Sequence, residues 1–164
     1  MSQVVHHFAI LAPVPLEHLE TGMPVSEKTG FVAFGTNKWE LLEQIEAMRE
    51  GAPIPVLIYP SASEEPAATN MKVSWFGWYI GRATSKGGAH PDGMTHRPPS
   101  TEHNPADNQG HWAAFWHVRG LRQLPPEKCL PISKVGTIKG GWRKNAPPRG
   151  PELVALPELL SYEE

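Results

Sequence analysis

Prolines and glycines constrain this chain most. There are 18 Pro and 15 Gly among 164 residues, and they cut the apolar sequence into short runs. Pro supplies no backbone N–H and Gly weakens element interiors, so long helices and long central strands are excluded over most of the chain. What remains is a set of short apolar segments fenced by Pro or Gly: Val4–Leu11 before Pro13 and Pro15, Phe31–Phe34 before Gly35, Pro55–Pro60, Val73–Arg82, His111–Arg119, Pro131–Ile132 and Leu153–Leu156. One helix stands out, from Lys38 to Glu50, where Leu41, Leu42, Ile45 and Met48 recur at helical spacing. Asn37 is placed to cap its start with Glu40 as reciprocal partner, and Gly51 to stop it. Pro125–Lys128 reads as a short helical turn.

Five or six strands separated by loops, not by repeated helices, disfavour a doubly wound parallel sheet. They favour an α+β fold: a small, strongly curved mixed sheet or pseudo-barrel with two or three flanking helices, in a single domain spanning 1–164. Alternation on the strands assigns faces. Trp75 and Tyr79 share one face of Val73–Arg82, with Phe76, Trp78 and Ile80 on the other. Trp112, Ala114, Trp116 and Val118 share one face of His111–Arg119, with Phe115, His117 and Arg119 opposite. Gly77 and Gly81 inside a strand suggest a bulge or a close approach.

Composition removes several function classes. One cysteine, Cys129, excludes an internal disulfide framework and a multi-thiolate zinc site, and fits a reducing compartment. No apolar run reaches the roughly 18–20 residues of a membrane span, and the first residues lack signal-peptide character, so the expected compartment is the cytoplasm. Nucleotide-binding glycine motifs and HExxH are absent from the sequence, and no cofactor is implied.

The formal net charge of −2 conceals an asymmetry. Residues 1–70 carry 3 Lys/Arg and 9 Asp/Glu, a net −6. Residues 71–151 carry 12 and 4, a net +8, and residues 152–164 carry none and 4. A basic segment of this kind suits an anionic partner. Its centre, Lys139–Gly140–Gly141–Trp142–Arg143–Lys144, joins exposed backbone, a stacking ring and three cations, a combination that holds phosphates. Trp39, Tyr59, Trp75, Trp78, Trp112, Trp116 and Trp142 are either core residues or base-stacking surfaces. The long 83–110 connection holds His90, His96, His103, Asp92, Glu102 and Asp107, and His111 follows it. A metal site there is conceivable, but the spacings match no ligand motif, and no metal is assigned.

In order and spacing, the segments His7–Pro15, Met48–Gly51 before Pro55–Tyr59, Gly77–Ala83, His90–Pro91–Asp92, Trp112–Val118 and Leu130–Ser133 resemble the EVE domain of the PUA-like superfamily, which also holds YTH and ASCH domains. Ala52 stands where that family usually has aspartate. The resemblance implies a pocket that accepts a modified base flipped from RNA or DNA. By position, Asn37, Trp39, Tyr59, Ser61, Trp78, Ser85 and His90 would line it, and Lys86, Arg97, Lys139, Arg143 and Lys144 would hold flanking phosphates. Nucleic acid is then the partner and catalysis is not required. An ASCH-like hydrolase acting on a modified nucleoside and a ligand-free protein-interaction domain remain the alternatives.

Overall fold

A computed structural model describes residues 8–61, 72–103, 112–132, 135 and 151–155, apart from the side chains of Ser61, Glu102 and His103. Six strands form one mixed sheet: β1 (Phe8–Pro15), β2 (Val32–Thr36), β3 (Ile54–Ser61), β5 (Trp75–Thr84), β6 (Ala114–Gln123) and β8 (Glu152–Ala155). Their order is β2-β6-β5-β3-β1-β8, with β1 and β3 parallel and every other pair antiparallel. Two α-helices flank it, α1 (Leu16–Thr29) and α2 (Trp39–Arg49). A two-stranded ladder of β4 (Lys72–Val73) and β7 (Leu130–Pro131) and 3-10 turns at Pro99–His103 and Pro126–Lys128 complete the described elements. This is the α+β, curled half-barrel architecture expected from the spacing of the short apolar runs. No helix among the described residues is long and apolar enough to cross a membrane.

Period-2 alternation builds two core layers. Ile10, Ala12, Val56, Ile58, Trp75, Tyr79, Trp116 and Val118 point to one face, where Leu19 of α1 and Leu42 and Ile45 of α2 cover them. Ala9, Leu11, Leu57, Tyr59, Phe76 and Trp78 point to the other, with Leu130, Ile132, Val135 and Val154. The faces of β5 and of β6 as far as Val118 are those read from the sequence. Fully burying one such side chain contributes about 1.5–3 kcal/mol, so the two layers dominate stability.

The curl has a visible cause. The β5–β6 register slips twice, between Phe76 and Trp78 and between Tyr79 and Gly81. At the first slip the extra residue lies in β6, where Phe76 faces Arg122 and Trp78 faces Arg119. Gly120 takes φ +64° there, and the shift returns Leu121 to the helix-covered layer beside Val118. At the second slip the extra residue lies in β5, beside Gly81. Bulges increase local twist, which bends a flat sheet toward a half-barrel.

Several local expectations need correction. β1 does not end before its prolines but runs through Pro15, and Val4–His7 lie outside the described residues. Pairing with β8 stops at Leu11, so Pro13 and Pro15 occupy the part of β1 paired only with β3, where a missing N–H is tolerated. Helix α1 lies in a stretch the sequence left unassigned. Lys38, not Asn37, occupies the N-cap of α2, and no side chain caps it. The chain leaves α2 through Glu50 and Gly51, both left-handed, at φ 51° and 79°. On its covered side Tyr79 donates to Glu46 Oε2 at 2.8 Å, and Arg49 Nε binds the same oxygen at 2.7 Å. Burial and the Glu46 carboxylate push the Tyr79 phenol above its ordinary range, so it remains a donor.

Candidate functional site

Ala113, just before β6, organises one end of the sheet. Its N–H donates to Asn37 Oδ1 at 2.9 Å, and its carbonyl accepts from the Ser85 N–H at 3.2 Å. One residue thus ties the start of α2 to the exit of β5. The Asn37 amide, expected to cap the helix, is instead spent on this strand. Beyond Ser85, Lys86 and Ala89 pair across Gly87 and Gly88, whose φ values are +63° and +87°. Two left-handed residues are what a tight primed hairpin turn requires. The Gly88 carbonyl accepts from the Trp112 N–H at 3.3 Å. The Trp112 indole lies on Gly35 so closely that a Cβ there would stand 2.5 Å from the ring. Gly35 is therefore a seat for an aromatic ring.

This end exposes Asn37, Lys38, Trp39 and Lys86. Trp39 is 47 % exposed, which is unusual for the largest apolar side chain. Lys38 Nζ donates to the Pro151 carbonyl at 3.2 Å, so the C-terminal end of the basic 71–151 segment returns to the same corner. Lys38 and Trp112 were not among the expected site residues. The isolated Gly35 after Phe34 was the available signal for Trp112, whereas Lys38 carries no signal of its own.

The other expected residues do not join them. Tyr59 and Trp78 are buried in the second core layer, at 4 % and 8 % exposure, so neither ring offers a stacking face. Ser61 ends β3, and its side chain lies outside the described residues, as do Lys139, Trp142, Arg143, Lys144, Asp107 and His111 and the side chains of Glu102 and His103. Arg97, expected on a phosphate, is 2 % exposed. Its Nη1 donates to the Ala33 carbonyl at 2.8 Å and its guanidinium lies over the Phe115 ring. With the Ala33 N–H donating to the His96 carbonyl at 2.7 Å, it covers the outer edge of β2.

His90 is buried under the same loop. Its Nδ1 accepts the Asp92 N–H at 3.0 Å, which places the ring proton on Nε2 when His90 is neutral. That Nε2–H then donates to His117 Nε2 at 3.1 Å. Phe31 stacks on both His96 and His117, at ring separations of 3.9 and 4.3 Å. Burial lowers the pKa of His90 and brings that of His117 down to about 4, reinforced by the neighbouring imidazoles. Neutral rings joined Nε2–H to Nε2 leave neither nitrogen of this contact free for a metal. Among the described residues no group of three or more His, Cys, Asp or Glu is arranged to hold one. No family model, curated protein or solved structure matches the chain.

Proposed function

We propose that the chain is a non-catalytic nucleic-acid-binding module that takes a base, in the modified and flipped-out form that its resemblance to EVE domains implies, at the Ala113 end of the sheet. The observation that carries this reading is the double tie of Ala113 to Asn37 and Ser85. It gathers an exposed ring, Trp39, a second ring, Trp112, and two exposed cations, Lys38 and Lys86, around one glycine hairpin. A π-face holds any base, and cations beside it hold flanking phosphates. The basic middle of the chain supports the same reading, because Pro151 ends beside Lys38. The single free thiol, Cys129, fits the reducing cytoplasm.

Fluorescence anisotropy with single-stranded RNA and DNA oligonucleotides, plain and base-modified, over a salt series tests the proposal. Trp39 is exposed, so Trp39→Ala removes a stacking face without opening the core. It is expected to weaken binding by about 5- to 150-fold, the range that one stacked base contributes. Absence of binding to every oligonucleotide at low salt, or a Trp39→Ala protein that binds as the parent does, would overturn it.

A further inference from the structure

A second site lies at the far end of β5 and β6. A half-open cavity of about 590 Å³ lies where β5 begins and β6 ends, lined among the described residues by Leu16, Lys72, Ser74, Trp75, Gln123 and Cys129, with Leu124 and three prolines. The volume falls within the range of pockets that enclose small organic ligands. β5 is ten residues long, so this cavity stands up to about 30 Å from the Ala113 corner at the usual rise per residue. It has no part in the site proposed above.

The composition of its wall defines the ligand. Of the ten described lining residues, seven are apolar or proline or cysteine. The polar remainder is a hydroxyl from Ser74, a carboxamide from Gln123 and an ammonium from Lys72. Among the described lining residues there is no carboxylate, and the nearby Glu127 acts on Cys129. The Ser74 backbone is already committed, its N–H to Ile58 of β3 and its carbonyl to Leu124 just after β6, which holds the residue at the cavity wall. The indole N–H of Trp75 is buried and has no hydrogen-bond partner among the described residues. Cys129 is not an activated nucleophile, only a slowly reacting free thiol. Its thiol donates toward the Leu124 and Pro125 carbonyls, and burial raises its pKa despite the nearby Lys72 charge.

We infer that this cavity binds a small amphipathic organic anion, with its apolar body against Leu16, Trp75 and the prolines and its acidic head at Lys72, Ser74 and Gln123. A cation set in a largely apolar wall favours a carboxylate over its neutral isostere, because the neutral head gains no charge-assisted hydrogen bond.

Titration of the full chain with phenylacetate and with phenylacetamide, followed by tryptophan fluorescence and by the rate of Cys129 alkylation, tests the inference. Phenylacetate is expected to quench or shift the fluorescence saturably and to slow alkylation, and to bind about tenfold more tightly than the amide. Lys72 is a half-buried residue of a two-residue strand, and Lys72→Met is expected to bring phenylacetate down to the affinity of the amide. Gln123→Ala, on an exposed strand end, provides a second variant with a smaller loss in the same direction. Equal affinity for acid and amide, an effect of acid that persists unchanged in Lys72→Met, or no saturable binding up to about 10 mM in the folded protein would overturn it.

Discussion

At the scale of single residues, the imidazole contact between His90 and His117 couples the fold to pH. The two Nε2 atoms are 3.1 Å apart, so the contact needs one of them unprotonated. The folded pKa of His117 is about 4, below the ordinary value of 6.5, with burial the main cause and His90 and His96 adding to it. Asp92 and Glu46 act in the opposite sense and are weaker. Because the folded pKa is depressed, the unfolded chain binds the proton first. The stability this group contributes is complete above pH 6.5 and is lost as pH falls through 6.5 toward 4. After allowance for the part-exposure of His117, the loss is about 1–2 kcal/mol. His117→Gln keeps an acceptor for His90 but cannot be protonated. Urea midpoints measured across this window should therefore fall less steeply in the variant, with the remaining slope coming from His90. Equal slopes in the two proteins would show that His117 is not the titrating group.

At the scale of elements, the β5–β6 pair decides the curl, and Gly77 is its tightest point. A Cβ at position 77 would stand 2.3 Å from Val118 Cγ1 and 3.3 Å from the Arg119 carbonyl. The position is not one of the left-handed glycines, so the objection is steric. Gly77→Ala should destabilise the protein by about 1–3 kcal/mol, the cost of overpacking a filled core. Val118→Ala removes the first clash, so the double variant should lose less than the sum of the singles in denaturant melts. Simple additivity would mean that the clash is relieved elsewhere. The glycines inside β5 were legible in the sequence because they interrupt an otherwise unbroken strand pattern, as were the two faces of β5 and β6. Helix α1 was not legible. Its buried stripe is His18, Leu19, Gly22 and Ser26, which is helical in spacing but mostly small or polar. Gly22 is there because α1 packs onto Val32 and Pro98, with a Cβ at 22 only 3.1 Å from Val32 Cγ2. His18 is satisfied by Ser100 at 2.6 Å, a partner 82 residues away in sequence. A separation of 64 residues likewise hid the role of Arg97, whose charge suggested a phosphate while its partner is a strand edge. Of the expected site residues, Asn37 and Ser85 come together at Ala113 because each adjoins a strand or helix end. Tyr59 and Trp78 are buried because a strand residue alternates between two faces and both faces here are covered.

For the whole molecule, the charge imbalance and the length of β5 separate the two proposed sites into independent experiments. Exposed cations at the Ala113 end, Lys38 and Lys86, would release counterions from a bound strand, and each contributes about 0.7 to the slope of log affinity against log salt for single-stranded nucleic acid. Lys72 lies up to about 30 Å away along β5, well beyond the Debye length of about 8 Å at physiological ionic strength. Its charge is therefore screened from a strand bound at the other end. Lys86→Ala should reduce the salt slope by about 0.7 and leave phenylacetate binding unchanged. Lys72→Met should leave the slope unchanged and abolish the preference for acid over amide. The double variant should show both effects and no coupling between them, since the sites share no partner. Parallel titrations of the four proteins with oligonucleotide and with phenylacetate provide the readout. A reduced salt slope in Lys72→Met would mean that nucleic acid runs along the whole β5–β6 face, so that the cavity lies on its path. An altered acid affinity in Lys86→Ala would mean that the two ends communicate through the bulged pair that joins them.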